Sequence, residues 1–365
     1  MRWMRLLVEE ILWNRPHVIL NADETALTTV RHNGVGMVSG RHSRQVTRRS
    51  KPLDKGDRFL TRTSYLAVVS DSPELQPLLP QIIMPKYTKN KRPPFRVLNI
   101  YASMGFPFEF WHGTPGCVNG VVMKAFATRL RSVISSFNPD AWVCLLMDCC
   151  TAHLSVETMA HYRRLGILIM PIPSGLTWLV QLLDAYVFGP LKKDIRIEES
   201  RQRVMSSHGE VNSFQRMRFV TDSIRRHVVN RDWSEQHNRL GAGSDDFPLN
   251  RRVLQYIDGE EIVPALPTLP EFAALVGRPV HTDITHRLYN LIVGNMLSVK
   301  KAPLDAKPSR GAQIDLPECS PALPRPDGQQ ARDDDPATAL RLYLRQQATG
   351  PALLTPFRPA RNHFL

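Results

Sequence analysis

Short apolar runs of strand length are the first regular feature of this chain. They are rich in Val, Ile and Leu and are bounded by turn-forming or charged residues, a pattern that predicts buried β-strands. The runs are residues 17–22, 61–70, 81–84, 97–101, 108–111, 143–147 and 167–170. Pro171 and Pro173 follow the last run. Because proline is poorly placed inside a central strand, we expect these prolines to mark the end of that strand.

Longer segments repeat apolar residues at helical spacing and alternate with the strand candidates along the chain. The predicted helices cover residues 3–13, 118–137, 155–165 and 179–195. Strands interleaved with helices predict an α/β protein with a mixed sheet. The predicted organisation is an N-terminal helix at 1–16, a catalytic α/β domain at 17–200, a mainly helical extension at 201–300, and a Pro-rich, charged, largely disordered tail at 301–365.

Three aspartates lie at or near the ends of apolar segments: Asp23, Asp148 and Asp184. Cleavage or transfer of a phosphodiester needs an activated nucleophile and a stabilised leaving oxygen, and two Mg²⁺ ions about 3.5–4 Å apart can supply both. Mg²⁺ prefers hard oxygen ligands and keeps several waters, so a few carboxylates suffice. We expect Asp23 on a buried strand, Asp148 at a neighbouring strand end and Asp184 on a helix against the sheet.

Each of these acids also has a purely structural interpretation. Asp148 precedes a predicted helix and could be its N-cap, Asp184 could pair with a lysine of its own helix, and Asp23 could belong to an ordinary polar turn. His153 is more often a satisfied core or capping histidine than a catalytic one. The residues alone leave both interpretations open.

The charge of the chain favours polyanionic partners. Its 47 lysines and arginines against 34 acidic residues give a net charge of +13 over 365 residues. Residues 31–51 and 86–96 contain no acid and predict loops that hold a DNA backbone, with a solvated hairpin as the alternative for the first. The candidate nucleic-acid-binding residues are Arg31, Arg41, Arg44, Arg48, Arg49, Lys51, Lys86, Lys89, Lys91 and Arg92.

Cysteine usage and hydropathy narrow the class of protein further. Five cysteines at irregular spacing argue against a secreted disulfide framework and for a reducing compartment. No apolar run approaches the roughly 20 residues needed to cross a membrane. We therefore expect no membrane association.

Three segments of the chain resemble the DDE superfamily endonuclease domain of pogo/Tigger-type transposases, within the wider Tc1/mariner group. The matching stretches are NADET around Asp23, LLMDCCTAH around Asp148 and TWLVQLLDAYVFGPLK around Asp184. Members of the family commonly show DET, DNAPxH and LLQPLD..VF..LK at these places. The stretches TSYLAVVS and LQPLLPQIIMP also fit the intervening strands, so the resemblance covers roughly residues 15–200.

The resemblance implies an RNase H-like mixed sheet flanked by helices, with Asp23, Asp148 and Asp184 as catalytic residues and ligands of Mg²⁺ or Mn²⁺. Asp23 and Asp148 would share one ion, and Asp184 would complete the second site. It also implies a transposon-derived DNA endonuclease or strand-transfer activity, DNA as the partner and a nuclear location. A homodimer is compatible with this interpretation.

The chain departs from the family pattern in places. Cys149 stands where asparagine is usual, and Leu182 and Leu183 replace the usual proline-containing pair. Too few residues precede the first predicted strand for the helix-turn-helix domain that such transposases carry, so sequence-specific DNA binding is not expected. The alternatives are a catalytically inactive domesticated relic that binds DNA non-specifically and, more weakly, an unrelated α/β hydrolase or RNA-processing nuclease.

Overall fold

A computed structural model describes residues 2–27, 63–85, 108–111, 118–150, 153–173, 175–205, 211, 213–240, 251, 253 and 265–308. The chain divides into two compact units, Met1–Cys319 and Ser320–Leu365, and every described residue belongs to the first. The ten candidate nucleic-acid-binding residues, the predicted strand at 97–101 and the predicted tail beyond residue 308 lie outside the described residues.

Six described strands form one mixed sheet. They are β1 (His17–Ala26), β2 (Thr63–Ser70), β3 (Gln81–Pro85), β4 (Phe108–Phe110), β5 (Trp142–Asp148) and β6 (Ile167–Ile172). Their order across the sheet is β4-β3-β2-β1-β5-β6. The β1–β2 and β2–β3 pairs are antiparallel, whereas β1–β5, β5–β6 and β3–β4 are parallel. The prediction of an α/β protein with a mixed sheet is confirmed.

Helices make up most of the remaining described structure. They are α1 (Arg2–Arg5) with a π-helical turn at Leu6–Ile11, α2 (Gly120–Phe137), α3 (Val156–Arg164), α4 (Thr177–Val180) with a π-helical turn at Leu183–Val187, α5 (Phe188–Met205), α6 (Ser213–Ile224) with a π-helical turn at Arg225–Val229, α7 (Ser234–Arg239), α8 (Leu269–Leu275) and α9 (Asp283–Lys301). None of the described helices has the length and apolar content to cross a membrane.

Apolar side chains cover both faces of the sheet, because the inner strands carry little polar sequence. On β2, Leu66 and Val68 pack into a cluster with α1, α2, α3, α8 and α9. The alternate residues Tyr65, Ala67 and Val69 pack on the other face in a cluster with α4, α5 and α6. This period-two division of one strand between two cores produces a sheet sandwiched between helical layers.

The end of β6 corrects one expectation from the sequence. Pro171 does not mark the end of the strand: it lies inside β6 and pairs with Met147, and the strand continues to Ile172. The physical reason is the position of β6 at one edge of the described sheet, since proline lacks only the N–H that a central strand would need for its second neighbour.

Candidate active site at the carboxyl ends of β1 and β5

The parallel register of β1 and β5 places two of the three predicted acids side by side. Asn21 of β1 is opposite Leu146 of β5, and two residues further along each strand come Asp23 and Asp148. Asp23 is buried and lies inside β1 rather than in a turn. Asp148 is the last residue of β5 and is not a helix N-cap, because Ser155 caps α3. The carboxyl ends of these adjacent parallel strands thus form one polar edge of the sheet, which we call the acidic edge.

Asn21 ties the acidic edge to the segment that carries the third acid. Its side chain is completely buried; its Nδ2 donates to the carbonyl of Leu146 at 3.4 Å, and its Oδ1 accepts from the backbone N–H of Leu183 at 3.1 Å. The first contact is two residues before Asp148, and the second is one residue before Asp184. One side chain therefore links all three acid-bearing segments.

Asp184 lies in the π-helical turn Leu183–Val187 and is exposed. The pKa of its carboxyl is raised, first by partial desolvation and further by the charge of Asp148, while Lys192 acts in the opposite direction. Lys192 belongs to α5, which follows this turn directly, and the charge of Asp23 also acts on it. The structure thus brings Asp184 into the electrostatic neighbourhood of both other acids, with a lysine beside them.

Asp23 has a strongly shifted pKa. Burial and then the charge of Asp184 raise the pKa of its carboxyl from 3.8 to about 7, with a smaller contribution from Asp148. A hydrogen bond from the backbone N–H of Glu24 to Asp23 Oδ1, at 2.7 Å, opposes this shift only partly. Near neutral pH the acidic edge therefore holds more negative charge than its described surroundings stabilise.

His153 is the side chain in hydrogen-bond contact with Asp148. Its Nδ1 lies 2.5 Å from Asp148 Oδ1, and the backbone N–H of Cys150 donates to the same oxygen at 3.2 Å. Burial acts to lower the pKa of His153, but the hydrogen bond and charge of Asp148 outweigh burial and raise it. Burial likewise acts to raise the pKa of Asp148, and His153 outweighs it, so that the pKa is lowered.

Glu24 adds a fourth carboxyl to the acidic edge. It follows Asp23 along β1 and is half-buried. Burial raises its pKa, although the charge of His153 and a hydrogen bond from the backbone N–H of Val118 act to lower it. Sequence reasoning did not assign a role to Glu24 or to Asn21, and it favoured an ordinary structural role for His153. The available signal was polar residues interrupting or directly following apolar strands.

The donor atoms of the acidic edge suit a divalent cation. Carboxylate oxygens are good ligands for Mg²⁺ or Mn²⁺, and the mutual repulsion that raises the pKa of Asp23 is what such a cation would relieve. Within the described part of the chain, however, no three His, Cys, Asp or Glu side chains are grouped closely enough to hold a metal ion as they stand. The carboxylate oxygens are suitable ligands for a divalent cation, but a bound cation would have to draw the carboxylates closer together.

Comparison with known proteins adds no relative. No family model, no curated protein and no solved structure matches this chain. Function must therefore be argued from the chemistry of the acidic edge.

Proposed function

We propose that this chain is a transposon-derived, metal-dependent DNA endonuclease or strand-transfer domain that acts on phosphodiester bonds. Asp23, Asp148 and Asp184 would hold Mg²⁺ or Mn²⁺, with Asp23 and Asp148 sharing one ion. The bound ions would activate the attacking oxygen and stabilise the leaving oxygen. Acting on DNA would place the protein in the nucleus, and a homodimer belongs to the same proposal.

The single observation that carries the proposal is the electrostatic coupling of the three acids. They are separated by 125 and 36 positions in the numbering of the chain, yet the charges of both Asp148 and Asp184 act on the buried carboxyl of Asp23. Like charges gathered at the ends of parallel strands reduce stability unless a cation joins them. Such a cost is typical of functional sites.

The topology of the sheet supports an RNase H-like arrangement. The first three strands form an antiparallel group, and the later strands β5 and β6 continue in parallel from the other side of β1. The first acid then lies on a central strand and the second on its parallel neighbour. The third acid comes from the helical layer on the face of Tyr65 and Ala67.

Basic side chains on α5 support DNA as the partner. Lys193, Arg196 and Arg201 lie, together with the apolar Ile197, Val204 and Met205, around a surface hollow of about 520 Å³ along α5, not over the three acids. α5 follows directly after the π-helical turn of Asp184, so this hollow continues from the acid-bearing segment. Lysine and arginine contacts to phosphates orient a duplex without reading its sequence.

Nicking of supercoiled plasmid DNA in the presence of Mn²⁺ tests the proposal. We expect nicking by the native chain and its loss in Asp184→Ala, which removes an exposed carboxylate with little risk to the core. Thr177→Ala, at the first residue of α4, is the matched control for damage near this segment. Nicking that persists in Asp184→Ala would indicate a contaminating nuclease.

A second candidate function is a catalytically inactive relic that binds DNA non-specifically. The observation that favours it is that the described His, Cys, Asp and Glu side chains form no closed metal-binding group. This candidate predicts DNA binding that weakens steeply with salt and no Mn²⁺-dependent nicking. Charge-neutral replacements in residues 31–51 and 86–96 would test whether those loops hold the DNA.

A further inference from the structure

The imidazole of His153 is held at the acidic edge in a way that the three-aspartate proposal does not explain. Its side chain is 2% exposed, so the ring is excluded from solvent. One nitrogen, Nδ1, contacts Asp148 Oδ1 at 2.5 Å. The other nitrogen, Nε2, is buried and has no hydrogen-bond partner among the described residues. A buried polar nitrogen without a partner is costly, which points to a missing hydrogen-bond partner.

Glu24 carries a buried oxygen in the same situation. Its Oε2 is also buried and also lacks a hydrogen-bond partner among the described residues. The charges of Glu24 and His153 act on each other, so the two side chains share one electrostatic neighbourhood. Because they are not in direct hydrogen-bond contact, one water between Nε2 and Oε2 is the simplest arrangement that satisfies both atoms.

The contacts of Asp148 show what this arrangement would do. Both of its hydrogen bonds, from His153 and from the backbone of Cys150, fall on Oδ1. They prevent rotation of the carboxylate and leave Oδ2 as the oxygen available to a further ligand. Hydrogen bonds from neighbouring groups commonly fix the orientation of a metal-binding carboxylate.

We propose that Glu24, one ordered water and His153 form a hydrogen-bonded chain that positions Asp148 and leaves its Oδ2 for a divalent cation. His153 and Glu24 are positioning residues: they act through Asp148 and do not themselves bind the cation. This inference rests on the proposed function for the identity of the ligand, but the chain of hydrogen bonds exists with or without a metal.

The first test is metal-free proton NMR of the native chain and two variants. A buried imidazole N–H that donates to a carboxylate gives a resonance at unusually low field. We expect such a resonance in the native protein, its loss in Asp148→Asn, and a change in its position in Glu24→Gln. A low-field resonance that is absent, or that is unaffected by Asp148→Asn, overturns the chain whatever the protein's function.

The second test is Mn²⁺ affinity, measured from the electron paramagnetic resonance signal of free Mn²⁺. His153→Leu should weaken binding roughly 10–100-fold, as expected for loss of an outer-shell partner. His153→Asn, which keeps an N–H near the position of Nδ1, should restore much of the affinity. His237→Leu is the matched control, because His237 is also buried and also has an unpartnered Nε2 among the described residues, but lies in another region.

The outcomes separate the two proposals. Mn²⁺ binding by His153→Leu at native affinity overturns the positioning role of His153. Failure of the native protein to bind Mn²⁺ overturns the proposed enzymatic function instead, and the NMR resonance then still decides whether the hydrogen-bonded chain exists.

Discussion

Two regions of this protein each bury a histidine, but the pKa values of the two side chains are shifted in opposite directions. His153 lies at the acidic edge of the sheet, His237 lies on α7 in the helical layer, and both are buried. The pKa of His237 is lowered from 6.5 to about 3 because burial acts on it alone. The pKa of His153 is raised, because nearby carboxylates outweigh the same burial.

Burial alone therefore does not determine the pKa of a histidine in this protein. In the helical layer, the apolar surroundings exclude a proton and leave a neutral ring. At the strand ends, the charges of three carboxyl groups shift the balance toward the imidazolium: Asp148, Glu24 and Asp23. The helical layer therefore behaves as an ordinary core, whereas the acidic edge concentrates charge that folding alone does not require.

The largest expected effect comes from removing the most strained charge at the acidic edge. Folding raises the pKa of Asp23 from its ordinary value of 3.8 to about 7, so the folded state becomes less favourable as pH rises through this range. Without metal, at about pH 8, Asp23→Asn should increase the free energy of unfolding by up to roughly 4 kcal/mol. Urea denaturation in the presence of a chelator measures this, and a smaller gain is expected at about pH 5.

A variant less stable than the native chain at about pH 8 would contradict this view of the acidic edge. Asp305→Asn is the control: it removes an exposed carboxyl outside the acidic edge and should change stability little at either pH.

The next effect in size is relief of the same repulsion by a cation. At a Mn²⁺ concentration about 100 times the dissociation constant, binding should stabilise the folded chain by roughly 2.7 kcal/mol. Asp148→Asn should abolish this rise in melting temperature, because it removes one of the proposed metal ligands. His237→Leu should keep the rise. A melting temperature of the native chain that does not respond to Mn²⁺ or Mg²⁺ would count against the metal site.

Asn21 should show how strongly the acidic edge depends on one buried amide. Asn21→Leu leaves the buried backbone N–H of Leu183 without its acceptor, at a cost of roughly 1–3 kcal/mol. It should also weaken Mn²⁺ binding, because the segment of Asp184 loses its tie to β1. Asn119→Ala, which removes the N-cap of α2, should cost about 1 kcal/mol without changing Mn²⁺ affinity. Equal metal affinities in the two variants would remove the special role of Asn21.

The smallest expected change in stability comes from His237. Because the pKa of His237 is depressed in the folded chain, its contribution is lost as pH falls from 6.5 toward 3. At about pH 5.5 the cost is roughly 1.4 kcal/mol, and His237→Leu should remove this part of the acid sensitivity.

His153→Leu should alter the pH dependence of folding stability above the ordinary histidine pKa of 6.5. A raised pKa in the folded chain gives stability that is full below 6.5 and is lost as pH rises through the folded value. Stability curves of both variants between about pH 5 and pH 9 check this, and parallel curves would mean that the two regions do not differ as described.

The candidate site was only partly accessible to sequence reasoning. The apolar run before Asp148 is the strand β5, and the run before Asp23 belongs to β1. The sequence therefore indicated that both acids are associated with strands, with Asp148 at the end of β5 and Asp23 within β1. The contribution of Asn21 could not be expected, because its contact with Leu183 spans 162 positions in the sequence. The placement of Pro171 within β6 was missed because an edge strand and a central strand have the same apolar composition.

Local sequence determined the strands, the helices and the chemical types of the acids, because hydrophobic period and side-chain chemistry are properties of neighbouring residues. The interaction of Asp23, Asp148 and Asp184 arises only through the fold, as do the raised pKa of His153 and the lowered pKa of His237. Electrostatic interaction depends on distance in space, and strand order and register set these distances between residues far apart in the chain.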